Sequence, residues 1–265
     1  MFDVDYQQKI TEIAKWIATT VHGARFLRAV VAVSGGIDSA VVLGLAAKGL
    51  GSSNVFAFSL PYGSMGKEHV RDAKRVILNA AIPQKNIFTI DIKKSVDGII
   101  KNQMELRSLE QDFSSVRVRT GNIMARVRMI FLYDFARSHN ALVIGTENKS
   151  EYYLGYFTRF GDEASDVEPI RNLYKTQVWE MGRALKIPEK IIQKAPTAGL
   201  WENQTDAGEL GFSYNDADKI LYYALEKKLP VMAIAAKGFP KNLVKKVLMH
   251  VRSQEFKHHL PYISE

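Results

Sequence analysis

The sequence predicts an α/β fold: a doubly wound parallel sheet of about five strands, with extra helices toward the C-terminus. The first observation behind this prediction is alternation. Short apolar runs rich in β-branched residues are each followed by a helical pattern of about a dozen residues, which is typical of right-handed βαβ units. The second is that only helical patterns follow residue 145, so we expect the second half of the chain to pack around the sheet.

The elements follow in order along the chain. Ile10, Ile13, Ile17 and Val21 recur at helical spacing and predict an N-terminal helix. Four short, mostly apolar runs suit strands buried on both faces, namely residues 29–33, 55–60, 86–91 and 141–145. The other helical patterns cover residues 37–48, 68–79, 94–106, 117–138, 176–185, 214–227, 231–237 and 241–251.

Composition limits the classes of protein. The 265 residues are 46% hydrophobic and 24% charged, as in globular proteins, and we expect one domain over residues 1–265. There is no cysteine, which excludes disulfides, thiolate metal sites and cysteine nucleophiles. Acids near the N-terminus and the lack of an apolar run close to ~20 residues predict a cytoplasmic protein that does not span a membrane.

The formal net charge of +8 is concentrated toward the C-terminus. Residues 237–257 contain six basic residues and one acid, Glu255. A solvated basic helix face explains this stretch, and an anionic ligand or partner is the alternative.

Residues 34–39, Ser-Gly-Gly-Ile-Asp-Ser, stand between the first predicted strand and helix. Ligands of parallel sheets bind beyond the carboxyl ends of the strands. The glycines let the backbone approach a ligand, and the helix N–H groups with the Ser34 and Ser39 hydroxyls suit phosphate oxygens. Asp38 would repel a bare phosphate, which indicates a magnesium ion with a nucleotide polyphosphate. The alternative is a plain strand-to-helix turn with a serine cap.

Rival motifs fail at particular positions. The Gly66-Lys67 pair is followed by Glu68 instead of the Ser or Thr of a Walker A loop. Ala32 occupies the first glycine position of a nucleophile elbow. Neither motif therefore explains residues 34–39.

Residues 145–162 follow the last predicted strand and reach the same edge of the sheet. They contain three acids, Glu147, Glu151 and Asp162. Glu151 is a candidate to join Asp38 as an oxygen ligand of magnesium. From the residues alone, solvated loop carboxylates are the simpler interpretation of all three.

The Ser-Gly-Gly-x-Asp-Ser loop resembles the pyrophosphate-binding loop of the N-type ATP pyrophosphatases, which cleave ATP between the α and β phosphates. Residues 145–162, with 173–177, 194–198 and 204–211, resemble the NAD synthetases of that superfamily. This resemblance covers most of the chain. It implies an adenine nucleotide alpha hydrolase-like, Rossmann-like sheet, with ATP as co-substrate and Mg²⁺ as cofactor.

The resemblance also implies residue roles. The residues implied to bind ATP are Ala32, Val33, Ser34, Gly35, Gly36, Ile37, Asp38, Ser39, Thr146, Lys175 and Thr197. Those implied to hold magnesium are Asp38 and Glu151. Those implied to bind deamido-NAD are Arg126, Arg159, Asp166 and Lys257. NAD synthetases are dimers joined through long helices, so we expect a homodimer, with apolar residues of 123–131 either in that contact or against the chain's own sheet.

The implied reaction is amidation of deamido-NAD by ammonia, which consumes ATP and releases AMP and pyrophosphate through an NAD-adenylate intermediate. Asp162 is our candidate catalytic residue, because a carboxylate near the acyl carbon can hold ammonium and take its proton. Glutaminases fused to such ligases rely on a cysteine nucleophile. The lack of cysteine therefore predicts no glutaminase domain and free ammonia as the nitrogen source, with supply by a separate glutaminase subunit as the alternative.

Two alternatives belong to other classes. A tRNA lysidine synthetase shares the loop and would hold RNA phosphates on the basic stretch, but it does not explain residues 155–162 or 173–177. A nucleotide-binding module without chemistry does not explain two acids placed for magnesium. We therefore expect no nucleic-acid partner. Residues 62–68 and 202–211 suit lids over the nucleotide.

Overall fold

A computed structural model describes residues 4–63, 67–103, 113–201, 204–259 and 261–263. Its sheet has four parallel strands in the order β3-β2-β1-β4. The strands are β1 (Arg28–Ala32), β2 (Val55–Ser59), β3 (Ile87–Thr89) and β4 (Ala141–Ile144). The α/β prediction with a parallel sheet is confirmed.

Beyond β4, the described residues extend the sheet only by a single bridge. Val167 pairs with Ile144 in parallel orientation, and the Gly145 N–H donates to the Val167 carbonyl at 2.9 Å. Pro169 follows two residues later and has no N–H to donate, so the pairing cannot continue as a regular ladder. The prediction of about five strands is thus one more than the sheet contains among the described residues.

Helices cover both faces of the sheet. Their bounds are α1 Tyr6–Gly23, α2 Ile37–Leu50, α3 Lys67–Asn79, α4 Lys93–Lys101, α5 Phe113–His139, α6 Lys149–Leu154, α7 Lys175–Ala184, α8 Glu189–Ile192, α9 Asp206–Leu210, α10 Tyr214–Leu221, α11 Val231–Ala235 and α12 Lys241–Gln254. The helix predicted to reach Lys227 ends at Leu221 and continues as a π-helical turn, Tyr222–Glu226. None of the described helices is long and apolar enough to cross a membrane.

Alternate residues of the strands bury opposite faces. Val31 and Ala57 belong to a core shared with α1, α2 and α3. Val30 and Phe58 belong to a second core, shared with α4 and α5. This two-sided burial is why the strand sequences lack polar alternation. The predicted doubly wound arrangement is therefore confirmed.

The C-terminal helices form a third core beside the sheet. Leu154 and Tyr174 pack there with residues of α9, α10, α11 and α12. Because all four strands are parallel, the segments that follow β1, β2 and β4 meet at one edge of the sheet. The third core lies against that edge through α6 and α7.

The helix predicted over residues 94–106 is observed as α4 and ends at Lys101. The last three residues of the prediction, 104–106, lie outside the described ones.

Candidate active site

The loop after β1 is held by its own serines. The Ser39 hydroxyl donates to the Gly36 carbonyl at 3.0 Å and accepts from the Ser34 N–H at 3.2 Å. The Ser34 hydroxyl oxygen in turn accepts the Gly36 N–H at 3.2 Å. Gly36 is the N-cap of α2 and brings no capping side chain, and residues 36–39 line a cleft. A helix start of this kind is suited to bind an anion.

Gly35 is required by both conformation and space. Its φ is +84°, in the left-handed region that favours glycine. A β-carbon there would lie 2.7 Å from the His69 carbonyl oxygen and 2.9 Å from the Ala73 nitrogen. The loop therefore lies directly against α3, and a side chain at residue 35 would push the two apart.

Asp38 and Glu151 converge on one ammonium group. The Lys175 Nζ lies 2.5 Å from Asp38 Oδ2 and 3.0 Å from Glu151 Oε1. Lys175 is only 3% exposed, at the start of α7. The two acids that the sequence assigned to magnesium thus share a single cation-binding position.

Asn148 fixes the orientation of this pair. Its side-chain oxygen accepts the Glu151 N–H at 3.0 Å, and Glu151 reaches back to the Asn148 N–H, which forms a capping box at the start of α6. Its side-chain nitrogen donates to Asp38 Oδ1 at 2.8 Å. Asn148 was not predicted as a site residue, although an Asn three residues before a Glu is a recognisable capping signal.

Burial and charge oppose one another in the cluster. Burial raises the pKa of Glu151, and the charge of Asp38 acts in the same direction, while Lys175 lowers it. Burial would lower the pKa of Lys175, but the carboxylates of Asp38 and Glu151 hold it above its ordinary value. We infer from the contact distances that Lys175 is charged. Two carboxylates that share one ammonium have an unbalanced negative charge, and such a site attracts a further cation.

The nucleotide lobe of the cleft surrounds this cluster. We define it by the loop residues 34–39 together with Thr146, Lys175, Thr197, His69, Lys194 and Asp206. Burial lowers the pKa of His69, and the nearby Lys194 ammonium lowers it further. Lys194 donates to the buried carboxylate of Asp72 at 2.8 Å. The implied ATP contacts Thr146 and Thr197 therefore do lie in one cavity with the loop, and His69 and Lys194 were not predicted.

A second lobe opens from the first and is more apolar. We define it by Phe157, Leu200, Trp201, Gly161, Met129 and Lys257. Arg128, Thr146, Tyr156, Asp162 and Ala198 line both lobes. The Lys257 Nζ donates to the Phe157 carbonyl at 3.0 Å and lines this lobe, while its role toward deamido-NAD stays a prediction. The second lobe is suited to hold a substrate that meets the nucleotide at these shared residues.

Asp162 lies on the wall between the lobes. Its Oδ1 accepts the Thr158 N–H at 2.9 Å, which fixes the carboxylate. The side chain is open to the cleft, but the surrounding protein removes much of its solvent. This burial raises the pKa of Asp162, against the opposing effect of Thr158 and Arg128. A carboxyl group with a raised pKa is suited to take a proton.

Three of the residues implied to bind deamido-NAD lie outside both lobes. Arg126 is exposed and its Nε donates to the Arg159 carbonyl at 3.2 Å. The Arg159 guanidinium lies 5.7 Å from the Phe256 ring centre. Asp166 accepts the Val143 N–H at 2.8 Å. Within one chain, these residues do not reach the cleft that holds Lys257.

Arg128, which the sequence analysis did not select, does line the cleft. Its Nε donates to the Leu60 carbonyl at 3.0 Å, and this contact holds the guanidinium between the lobes. Helical geometry separates residues 126 and 128 by about 200°, so only one of them can face the sheet. No sequence signal distinguished the two arginines.

Glu147 is buried, contrary to its interpretation as a solvated loop carboxylate. It is 5% exposed and pairs with the Arg171 guanidinium. Glu168 lies near the same guanidinium, 3.7 Å away. Burial raises the pKa of Glu147 to about 9, although Arg171 opposes this. The loop packs inward here because Asn148 and Ser150 on either side of Lys149 are fully buried.

The residues present fit a magnesium ion. The Lys175 ammonium shows that Asp38 and Glu151 hold a cation between them. Magnesium is commonly bound by one or two carboxylates together with substrate phosphates. No group of three or more metal-binding side chains of the Asp, Glu, His and Cys types occurs among the described residues, so the phosphates and water would have to supply the other ligands.

A parallel sheet with a glycine-serine loop after β1 and two carboxylates beside it defines a nucleotide-binding α/β protein of the ATP pyrophosphatase type. The NAD synthase family model matches residues 9–261, and the chain belongs to that family. An NH(3)-dependent NAD(+) synthetase from Fusobacterium nucleatum is 40% identical over 263 residues, which cover 99% of this chain and 97% of the relative.

Two solved structures are similar over almost the whole chain. One is an NMN synthetase from Francisella tularensis, with a TM-score of 0.83 and 32% identity, covering 99% of both chains. The other is an NH3-dependent NAD synthetase from Campylobacter jejuni, with a TM-score of 0.80 and 30% identity, covering 99% of this chain and 100% of the other. The expected family is confirmed.

Proposed function

We propose that this chain is an ammonia-dependent NAD synthetase, which uses ATP to convert the carboxylate of deamido-NAD into the amide of NAD. The observation that supports it most is the convergence of Asp38, Glu151 and Lys175 at the loop after β1. The curated relatives that match nearly the full chain have the same activity in their names. Neither a tRNA-modifying enzyme nor a module without chemistry is favoured.

The nucleotide lobe would hold the triphosphate. The N–H groups at the start of α2 and the Ser34 and Ser39 hydroxyls would bind phosphate oxygens. Lys175 and Lys194 would neutralise the charge that gathers on the departing pyrophosphate. When a magnesium ion is bound by Asp38 and Glu151, it adds positive charge at the same place. The protein's task in this half-reaction is therefore mainly electrostatic.

The second lobe would hold deamido-NAD with its carboxylate toward Arg128 and Asp162. The carboxylate oxygen attacks the α-phosphorus of ATP, the bond from that phosphorus to pyrophosphate breaks, and an acyl-adenylate forms. Asp162 takes one proton from ammonium, and the resulting ammonia attacks the acyl carbon. The bond from that carbon to the AMP oxygen breaks, and the nitrogen gives up a second proton to water as AMP leaves. The chain has no cysteine for a glutaminase step, which supports free ammonia as the nitrogen source.

The test is a product assay with the purified chain, ATP, magnesium, ammonium and deamido-NAD. We expect NAD, AMP and pyrophosphate in equal amounts. Because the Francisella structure is named an NMN synthetase, the deamido mononucleotide is assayed in parallel. A kcat/KM higher for the mononucleotide than for deamido-NAD would reassign the substrate. Pyrophosphate release that requires tRNA would overturn the proposal.

We also propose a homodimer in which Arg126, Arg159 and Asp166 contact the substrate held by the other subunit. All three lie outside the lobes of their own chain, and Ile130, on the same long helix as Arg126, is 57% exposed. Met124 and Val127, which the sequence analysis offered to this contact, are instead buried in the chain's own core. A shared site explains how residues that do not line the lobes of their own chain can bind the substrate.

Mixed dimers test this arrangement. Arg126→Ala and Lys175→Met are each expected to be inactive, but unfolding and refolding them together should restore about a quarter of wild-type activity, because half the dimers regain one intact site. Lys257 lies in the same cleft as Lys175, so a mixture of Lys175→Met with Lys257→Met should stay inactive. Equal recovery in both mixtures, or a monomer by light scattering, would contradict the shared site.

A further inference from the structure

The Lys175 ammonium must move when a divalent cation binds to Asp38 and Glu151, and its new position can be inferred if the cation site of the proposed function is correct. In the structure, the ammonium occupies the position between Asp38 and Glu151. A divalent ion on those carboxylates must displace it. Lys175 is 3% exposed, so its displaced ammonium still needs a buried acceptor.

Asp206 has an oxygen that is free to accept it. The side chain is 2% exposed and lines the nucleotide lobe. Its Oδ2 accepts the Tyr214 hydroxyl at 3.0 Å, while its Oδ1 has no donor among the described residues unless the Tyr156 hydroxyl turns from Glu209 toward it. The nearby Tyr156 hydroxyl donates to Glu209 at 2.6 Å. A buried carboxylate oxygen without a donor is costly, which indicates a partner that arrives in another state of the site.

Tyr214 connects the two groups. The Lys175 Nζ lies 5.3 Å from the centre of the Tyr214 ring, whose hydroxyl is bonded to Asp206. The ammonium can therefore move from Asp38 and Glu151 toward Asp206 along the face of the Tyr214 ring, and the ring face attracts cations. The backbone N–H of Asp206 donates to the Pro196 carbonyl at 3.0 Å and fixes the acceptor at the other end.

The charges of the cluster agree with this exchange. When their carboxylates are all ionised, Asp38, Glu151 and Asp206 bring three negative charges and Lys175 one positive charge, so one divalent cation makes the cluster neutral. With the cation on Asp38 and Glu151, Lys175 and Asp206 remain as a matched pair. Lys175 and Asp206 are buried, and Asp38 and Glu151 are only partly exposed, so such pairing is favoured.

We propose that Asp206 is a positioning residue: it accepts the Lys175 ammonium that the divalent cation displaces and holds it facing the phosphates. In this state Lys175 binds the nucleotide while the cation occupies Asp38 and Glu151. Asp206 itself binds neither the metal nor the substrate.

Binding of Mn²⁺ to the nucleotide-free protein, followed by electron paramagnetic resonance, tests this without an activity measurement. Asp206→Asn and Asp206→Ser should each weaken Mn²⁺ binding at least tenfold. Glu209→Gln removes the same charge three residues away in α9, at a carboxylate bonded to Tyr156, and should weaken it less than threefold. Lys175→Met should tighten Mn²⁺ binding, because no ammonium competes. In the Lys175→Met background, Asp206→Asn should change the affinity less than threefold.

The possible results distinguish failure of the cation site from failure of the role assigned to Asp206. If the wild type binds no Mn²⁺, the cation site and the inference both fail. If the wild type binds Mn²⁺ but Asp206→Asn loses affinity equally with and without Lys175, Asp206 acts on the metal directly and the inference alone is wrong. The same holds if Glu209→Gln matches Asp206→Asn, which would mark a simple charge effect. If thermal melting shows that Lys175→Met is unfolded, the comparison of Glu209→Gln with Asp206→Asn decides whether the role assigned to Asp206 is correct.

Discussion

The Lys175 ammonium lies 2.5 Å from the Asp38 carboxylate, although 137 residues separate them in the chain. Asp38 is in the first turn of α2 and Lys175 opens α7, so the contact joins the sheet half of the protein to its C-terminal half. Glu151 accepts from the same nitrogen at 3.0 Å. The cation site is thus also a point at which the third core is held against the edge of the sheet.

The first prediction concerns stability. Lys175→Met leaves two buried carboxylates without their cation and should lower the free energy of unfolding by about 3 kcal/mol. Millimolar Mn²⁺ should restore part of this loss, because it binds the same carboxylates in the folded state only. Lys9→Met, at an exposed ion pair on α1, is the matched control and should change stability by less than about 0.5 kcal/mol. Urea unfolding measures both. A Lys175→Met protein as stable as the control would contradict the assigned charges.

The second prediction separates clash from backbone strain. Gly35 and Gly51 have φ angles of +84° and +79°, but only at Gly35 would a β-carbon meet backbone atoms within 3 Å. Gly51→Ala should cost about 1 kcal/mol, from the left-handed conformation alone. Gly35→Ala should cost at least about 2 kcal/mol more and weaken ATP binding, since the loop must move away from α3. Thermal melts and ATP titrations measure the two effects, and equal losses would show that the contact with α3 does not matter.

The order of strands, loops and helices along the chain could be predicted from the sequence. The surroundings toward which individual side chains point could not. The loop at residues 34–39 follows a strand and opens a helix, so contiguous residues contain all the information that places Asp38 at the sheet edge. The choice between Arg126 and Arg128 depends on which side of α5 meets β2, and this is decided by packing between distant segments. Likewise, nothing near Glu147 in the chain shows that Arg171 will cover it.

The third prediction compares the two arginines. Arg128→Met removes the guanidinium between the lobes and should reduce kcat/KM for deamido-NAD at least 30-fold, about 2 kcal/mol of transition-state stabilisation. Arg126→Met should lose activity only through the dimer, so it should be rescued in mixed dimers whereas Arg128→Met paired with Lys175→Met should not. Rescue of Arg128→Met would place that side chain in the other subunit's site.

The fourth prediction is a pH dependence of stability set by Glu147. Burial raises the pKa of this carboxyl to about 9, so between about pH 4.5 and 9 the folded state keeps a proton that the unfolded state releases. More protons bound in the folded state mean that stability falls as pH rises through this window. Glu147→Gln removes the titration, and its stability relative to the wild type should rise by about 4 kcal/mol from pH 5.5 to 8.5. Glu12→Gln, at an exposed site, should show no such trend. Parallel curves for wild type and Glu147→Gln would mean that Arg171 keeps Glu147 ionised throughout.

The last prediction concerns the proton of ammonium. Asp162 must be ionised to accept it, and burial raises the pKa of Asp162, so kcat/KM for ammonium should fall as pH drops through that raised pKa. Asp162→Asn cannot accept a proton and should lower the rate at saturating ammonium at least 100-fold near pH 7. Its residual rate should climb steadily with pH, in proportion to the free ammonia present, with no break at the pKa of Asp162. Glu163→Gln, the neighbouring carboxylate, should keep the wild-type profile. An unchanged profile in Asp162→Asn would remove Asp162 from the proton transfer and leave the cleft to act on free ammonia alone.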